Sequence, residues 1–401
     1  MPTLGCAPVS ATVSPPPALR ALLDAGAALV RRSSSGRVAL GRAADVVPAD
    51  ALPAALADLP VELGRARDEA ARPLAMRDVT RILKQAWGES PGRVLDELDG
   101  EPVAVTPVGQ VHRGRTKDGR AVAVKVRRPG LEAAARSDLA LLDTLTAPLR
   151  QVFGRLDAGA ALGALREATL DELDLEHQAA TLRRVRGALR DVDGLVLPAP
   201  VLDHCRPDVM VSDWLEGPTL REAAPNEPDA AARALVDAHL AAARAGLLLV
   251  DPRPGHVVLL PDGRVGLLGA GAARPADPER VAAVLAALEA LRAGDADALA
   301  ARIAGELELL PEADAARAAE LALAVLGPLL GGPARLDGAA LTAAGEAAQG
   351  RLDLLMELAA VLTPVPADLA AARMLWQLGV VLSRLQVTAD WGALCLRAPT
   401  A

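Results

Sequence analysis

The sequence predicts an α+β protein of two lobes, with a helical extension ahead of a small sheet and a largely helical second lobe behind it. Three observations carry this. Of the 401 residues 51% are apolar, yet there is no Tyr and one Phe, so the core is built from Leu, Val and Ala, which favours helices. Strict apolar alternation, the mark of a half-buried strand, is confined to short stretches such as AVAVKV at 121–126. Those stretches fall mid-chain between long segments of helical spacing, with no repeat and no long linker.

Residues 1–18, with Pro15, Pro16 and Pro17, read as a loose leader. Residues 19–95 read as a helical extension: ALRALLDAGAALVRR, ADALPAALADL and MRDVTRILKQAWG, the last with Ile82, Leu83 and Trp87 on one side. The first lobe spans 96–215. It opens with two strands, VGQVHRGR and AVAVKV, joined by the turn Lys117-Asp118-Gly119. Inserted helices follow: LEAAARSDLALLDTLTAPL, then a long segment at about 160–190. VLPAPVLDHC and DVMVSDWLEG read as strands ending at Glu216-Gly217-Pro218. The second lobe, 216–401, begins with the helix ARALVDAHLAAARAG. A hairpin then runs LLLVDPRPGHVVLL, turns at Pro261-Asp262-Gly263, and returns as RVGLLGAG; from 277 onwards the pattern is almost wholly helical.

Composition excludes several functions. A formal charge of −8 and a pI near 5.3 oppose nucleic-acid binding, which needs clustered cations. The basic run LRRVRGALR at 182–190 reads as a solvated helix face. Cys6, Cys205 and Cys395 share no metal-ligand spacing and read as free thiols of a cytoplasmic protein. Five residues precede Cys6, too few for an apolar signal region. No stretch reaches the ~18 uncharged apolar residues of a membrane span, so membrane contact is expected to be peripheral at most.

The chemistry centres on Lys125. Alternation sends Val122, Val124 and Val126 to one face of the strand and Ala123 and Lys125 to the other. A lysine so placed can reach nucleotide phosphates across a cleft. Around it, VGQVHRGRTKDGRAVAVKVRRPG, RSDLALL at 136–142, ELDLEHQAA at 172–180, VMVSDWLEG at 209–217 and GLLLVDPRPGHVVLLPDGRVGLLGAG at 246–271 follow one another in an order and spacing that resemble the UbiB (AarF) atypical kinase-like family. The resemblance covers roughly residues 95–275 and implies a bilobal protein-kinase-like fold, bound ATP or ADP, and a link to isoprenoid quinone or lipid metabolism at membranes. It places Lys125 on the phosphates, with Val108, Gly109 and Gln110 above them. The hinge residues Asp213, Trp214 and Leu215 would offer backbone groups to the adenine.

The departures from the family pattern matter as much. Where the family has Asp-Phe-Gly, whose Asp binds magnesium, this chain has Gly269-Ala270-Gly271. The Asp-Pro-His-Pro-Gly-Asn motif keeps its Asp as Asp251 but ends in His256, not in the second metal ligand. The glutamate that would pair with the strand lysine falls at Gln178. The family's Lys-x-Gly-Gln motif aligns with Ala39-Leu40-Gly41-Arg42 and its alanine-rich phosphate loop with Ala104-Val105-Thr106-Pro107. Glu172 and Asp174 keep the Glu-x-Asp motif, but at this spacing they do not share a helix face and form no acid–base dyad.

Magnesium requires oxygen ligands, which Gly269 lacks, and the His256 nitrogen suits softer metals, so no metal is expected. Phosphoryl transfer depends on charge neutralisation by metal and lysine. Asp251 occupies the base position but, without metal ligands beside it, is expected to be inert and to cap its loop by accepting backbone N–H bonds. The resulting expectation is a catalytically impaired homologue, a pseudokinase acting as a binding or regulatory module with weak nucleotide affinity and an unknown protein or lipid-pathway partner. Two alternatives stand beside it. One is an active phosphotransferase or ATPase with a rearranged metal site using Asp251, Asp262 or Glu172. The other is a protein scaffold that binds no nucleotide.

Overall fold

A strand that alternates valine with small or charged residues must bury the valines, and Val122, Val124 and Val126 are fully buried. The computed structural model describes residues 72–106, 108–131, 133, 170 and 173–397. The extension helices before residue 72, the inserted segment 134–169, Cys6, Pro107 and Glu172 lie outside the described residues.

Helix α1 (Met76–Trp87) is followed by β1 (Leu95–Leu98), β2 (Ala104–Val105), β3 (Gly109–Thr116) and β4 (Ala121–Arg127). After β5 (Leu195–Val196), which belongs to another sheet, β6 (Val209–Asp213) completes an antiparallel five-stranded sheet in the order β1-β3-β4-β6, with β2 also on β3. The β3–β4 hairpin turns at the expected Lys117-Asp118-Gly119.

The rear face of this sheet is closed by α1. Val79, Ile82 and Leu83, one stripe at helical spacing, pack on Val122, Val124, Val126, Val209 and Val211. Two polar side chains share that face, Gln110 and His112, both fully buried. They satisfy each other and the backbone. The Leu74 N–H donates to Gln110 Oε1 at 2.6 Å, and the Gln110 amide donates to His112 Nε2 at 2.7 Å. With Nε2 accepting, His112 carries its proton on Nδ1 and donates it to the Asp99 carbonyl at 2.8 Å.

Helix α2 (Leu175–Ala188), within the 96–215 range assigned to the first lobe, packs instead on the core of the second, which holds α3 (Pro228–Arg244), β7 (Leu247–Leu248), β8 (Val257–Leu259), β9 (Val265–Leu267) and β10 (Arg274–Pro275). Then come α4 (Pro278–Ala293), α5 (Ala296–Ala301), α6 (Glu312–Leu330), β11 (Pro333–Arg335), α7 (Gly338–Gln349), α8 (Leu352–Val361), α9 (Pro366–Ser383), β12 (Thr388–Asp390) and α10 (Trp391–Leu396). Its core gathers Leu182 and Val185 of α2, Leu235 and Ala242 of α3, Val265 and Leu267 of β9, Leu378 and Val381 of α9, and Trp391. A three-stranded sheet sets β9 between parallel β5 and antiparallel β8. The arginines Arg183, Arg184 and Arg190 face solvent, as a basic helix face should.

Two strand expectations are corrected. VLPAPVLDHC contributes Val196 of β5, an isolated bridge from Pro200 to Ser212 and a 3₁₀ turn at Leu202–His204, because Pro198 and Pro200 cannot donate to a ladder. LLLVDPRPGHVVLL is not one strand but β7, a loop carrying Asp251, a 3₁₀ turn at Pro254–His256, and β8; Pro252 and Pro254 enforce the break. Cys205 and Cys395 are free thiols, and burial raises both, Cys395 to about 11. Among the described residues no helix is long and apolar enough to cross a membrane.

His239 on α3 is buried in this core, its Nδ1 on the Leu235 carbonyl at 2.7 Å, and burial lowers its pKa from 6.5 to about 4. A folded-state pKa below the unfolded one means the unfolded chain binds the extra proton. Stability is therefore whole above pH 6.5 and falls as pH drops towards 4, with a slope up to about 1.4 kcal/mol per pH unit from this proton. His256 is shifted the same way and adds a second proton to the same window. Urea titrations across that window should show this slope, and His239→Leu should remove its share of it.

Candidate nucleotide-binding cleft

Lys125 leaves the front of β4 towards α2, where its Nζ donates to Gln178 Oε1 at 3.2 Å. At this position the lysine meets an amide, as the sequence requires, and this bond is a charge–dipole contact. Helix α2 is held in place by Asp174, whose carboxylate accepts from the Glu176 and His177 N–H groups at 3.0 and 2.9 Å. Asp174 is thus an N-cap. At the far side of α2, Gly271 lies so close that a Cβ there would stand 2.7 Å from the Gln178 carbonyl oxygen. The 269–271 segment and the lysine's partner are packed together.

The loop after β7 delivers Asp251 and His256. Guanidinium groups hold the carboxylate: Arg253 at 2.5 Å on Oδ2 and Arg373, from α9, at 3.7 Å on Oδ1. Asp251 is thus ion-paired to guanidinium groups from its own loop and from α9. His256 sits beside it, Nδ1 on the Asp251 carbonyl at 3.0 Å. Burial, with the nearby charge of Arg253, lowers its pKa to about 4, so the imidazole is neutral near pH 7; Lys125 pushes in the same direction. Gly269 has φ +78°, in the left-handed region, and a Cβ on it would stand 2.6 Å from His256 Nδ1. The imidazole fills the space into which a side chain at 269 would project. Arg221 completes the surroundings, its guanidinium 3.6 Å from where a Cβ on Gly255 would lie.

The loop over the cleft is tied into itself. The Gly109 N–H donates to Thr106 Oγ1 at 3.1 Å and its carbonyl accepts the Thr106 N–H at 2.8 Å. The Val108 carbonyl accepts from Arg128, and its side chain packs on Leu131 and Leu173. Gln110 does not face the phosphates: it is paired with Val126, one position out of phase with Lys125, so its side chain lies on the rear face. At the hinge, Asp213 binds Arg120 and donates its N–H to the Ala199 carbonyl, and the Trp214 N–H donates to Ala121. Two of the three expected adenine-facing backbone donors are therefore committed within the chain. Leu215 packs against Gly266 of β9. Arg113 lies over the Trp214 ring at 5.0 Å, and both bind Glu216, which stiffens the outer side of the hinge.

The structure thus brings Lys125, Gln178, Asp251, His256 and Gly269 into one region. Asp174 is placed at a helix start, and Asp262 in the β8–β9 turn, exposed and bound to Arg264. Sequence reasoning missed the arginines. Arg253 was visible as the residue between the two prolines of DPRPGH; Arg373, far along the chain, gave no signal.

The family model for the ABC1 atypical kinase-like domain matches residues 66–318, more than half of the chain. This chain belongs to the ABC1 atypical kinase-like family. A probable protein kinase UbiB of Pseudomonas putida is 32% identical over 148 residues, 36% of this chain and 27% of that protein. A probable protein kinase UbiB of Pseudomonas aeruginosa is 35% identical over 142 residues, 35% of this chain and 26% of its own length. An uncharacterized protein of Synechocystis is 27% identical over 225 residues, 51% of this chain and 55% of that one. The chain thus spans between 26% and 55% of the length of these curated relatives. Among solved structures, the complex of Rv3197 with erythromycin from Mycobacterium tuberculosis is similar with a TM-score of 0.61 and 25% identity, over 94% of this chain and 96% of that one.

Kinase-like chemistry in the ABC1 family raises magnesium, which wants several oxygen ligands in near-octahedral geometry. The donors here do not supply it. Position 269 has no side chain and its space is taken by an imidazole, His256 offers nitrogen, and the Asp251 carboxylate is engaged by guanidinium. Among the described residues no group of three or more His, Cys, Asp or Glu is placed to hold a metal ion. The described residues of this site do not fit a magnesium ion.

Proposed function

We propose that this ABC1-family chain is a pseudokinase: a kinase-shaped binding or regulatory module whose cleft takes a nucleotide without transferring its phosphate. The observation that carries this is the His256 imidazole standing against Gly269, where the family's pattern calls for a metal-binding carboxylate. Without that carboxylate no metal is held there to neutralise the γ-phosphate as the transition state forms. The family resemblance implies the wider setting, a role in isoprenoid quinone or lipid metabolism with a protein or lipid-pathway partner inside the cell.

Labelled ATP with magnesium tests it. The expected result is no transfer and no hydrolysis above the level of the Lys125→Met variant. Turnover abolished by Asp251→Ala would instead establish the active phosphotransferase with a rearranged metal site. A thermal-shift titration separates the third possibility, since a bound ligand raises the apparent stability by about RT ln(1 + [L]/Kd). No shift with ATP or ADP would favour the scaffold. The structural relative was solved with erythromycin, so a macrolide belongs in the same titration.

A further inference from the structure

At the rear edge of the small sheet, away from Lys125, segments far apart in the chain enclose a cavity of about 510 Å³. They are the end of α1 with the helical turn Pro91–Val94, the β3–β4 turn, and residues 201–206. That volume suits a small organic molecule. Its walls are fixed. The Trp87 Nε1–H donates to the His204 carbonyl at 3.0 Å, and the two rings stand edge to face with centroids 6.3 Å apart. The Val201 N–H donates to the Val211 carbonyl at 2.8 Å, which ties the third segment to β6. One nitrogen of the Arg206 guanidinium, Nη1, donates to the carbonyls of Asp203 at 3.1 Å and Cys205 at 2.6 Å. The fork is thereby held in place while Nε and Nη2 keep their donors for another acceptor.

The charges that line this cavity fall into two groups. Some are already met: Lys117 by Asp96 at 3.6 Å, Arg120 by Asp213, and Asp118 by the Thr116 hydroxyl. Among the described residues, the side chains of Arg93, Arg206, Glu89 and Asp203 are paired with no opposite charge. Both signs are therefore on offer, over a floor of Trp87, His204, Val94 and Val201. A ligand of one sign would leave the other unanswered, and a desolvated charge without a partner is costly. Asp203 and Arg206 lie within one turn, unpaired with each other, the arrangement that meets an ammonium and a carboxylate carried on the same carbon.

We propose that the cavity binds a small aromatic zwitterion of the α-amino-acid type, its ring on Trp87 and His204, its carboxylate on Arg206 and its ammonium on Asp203. None of these residues belongs to the cleft, so the proposal stands apart from the pseudokinase reading.

Isothermal titration of the full chain with three probes that share one ring tests this. L-phenylalanine carries both charges, phenylpropanoate lacks the ammonium and phenethylamine lacks the carboxylate. Phenylalanine is expected to bind with a Kd of about 1 mM or tighter, within reach of so small a ligand. Each analogue should bind about tenfold more weakly, the worth of one charge-assisted hydrogen bond at a half-open site. Arg206→Gln should weaken phenylalanine and phenylpropanoate by about tenfold and leave phenethylamine unchanged. Asp203→Asn should weaken phenylalanine and phenethylamine and spare phenylpropanoate. A general loosening of the fold would not sort the probes by charge. No saturable binding of phenylalanine overturns the proposal, as do analogues that bind as tightly as it does, or an Arg206→Gln variant that binds it unchanged. The comparison of the three probes on the wild-type chain needs no variant to fold.

Discussion

Gly217→Ala is expected to destabilise the protein by about 3 kcal/mol, the combined cost of a backbone conformation foreign to L-residues and a clash with main chain. Gly217 follows the hinge at φ +143°, a conformation that side chains rarely adopt. A Cβ there would fall well inside contact distance of the Leu259 carbonyl oxygen on β8. That neighbour cannot rotate away as a flexible side chain would, because β8 is fixed on both sides. Val257, Val258 and Leu259 pair with β9, and the Leu259 N–H donates to the Pro218 carbonyl at 2.8 Å. Thermal unfolding should show the midpoint falling by about 5 °C or more, at roughly 2–4 °C per kcal/mol for a domain of this class. A shift below about 1 °C would mean that the hinge and the β8–β9 hairpin are not locked together in this way.

Gly269→Asp, which restores the family's carboxylate position, is expected to cost about 2 kcal/mol, from a left-handed backbone and the loss of the His256 hydrogen bond. The new Cβ would press on His256 Nδ1, the atom bound to the Asp251 carbonyl. The imidazole must then leave its site. His256→Asn, by shortening the side chain, opens the space, so the double variant should recover about 1 kcal/mol relative to the sum of the single changes. A double-mutant cycle in urea measures this coupling. Strict additivity would show that the two positions do not share one space, and with it would go the observation on which the pseudokinase proposal leans.

How far the sequence could carry these conclusions depended on the kind of contact involved. The face of Lys125 was legible because alternation on β4 is strict and its valines have nowhere to go but the core. The Gln178 partnership was legible from the order of the family's motifs, and Gly269 from a missing side chain. Gln110 was misplaced for a physical reason: on β3 the buried face carries Gln110 and His112 while Val111 lies on the other, so polarity points the wrong way. Buried polar groups that satisfy each other break the pattern from which burial is read. VLPAPVLDHC looked like a strand because its apolar content outweighed two prolines that deny it a ladder. Arg373 was invisible because its meeting with Asp251 depends on how α9 crosses the second lobe, and no local pattern encodes a crossing.

The clasp between Gln110 and Leu74 bears on how this chain can be inherited. The Leu74 main chain is gripped from inside the small sheet, and the helix that follows at once plugs the hole behind the valines. A proteolytic cut or a recombination breakpoint between residues 74 and 95 would leave an oily wall and an amide facing water. The stretch therefore travels with the sheet as one heritable piece.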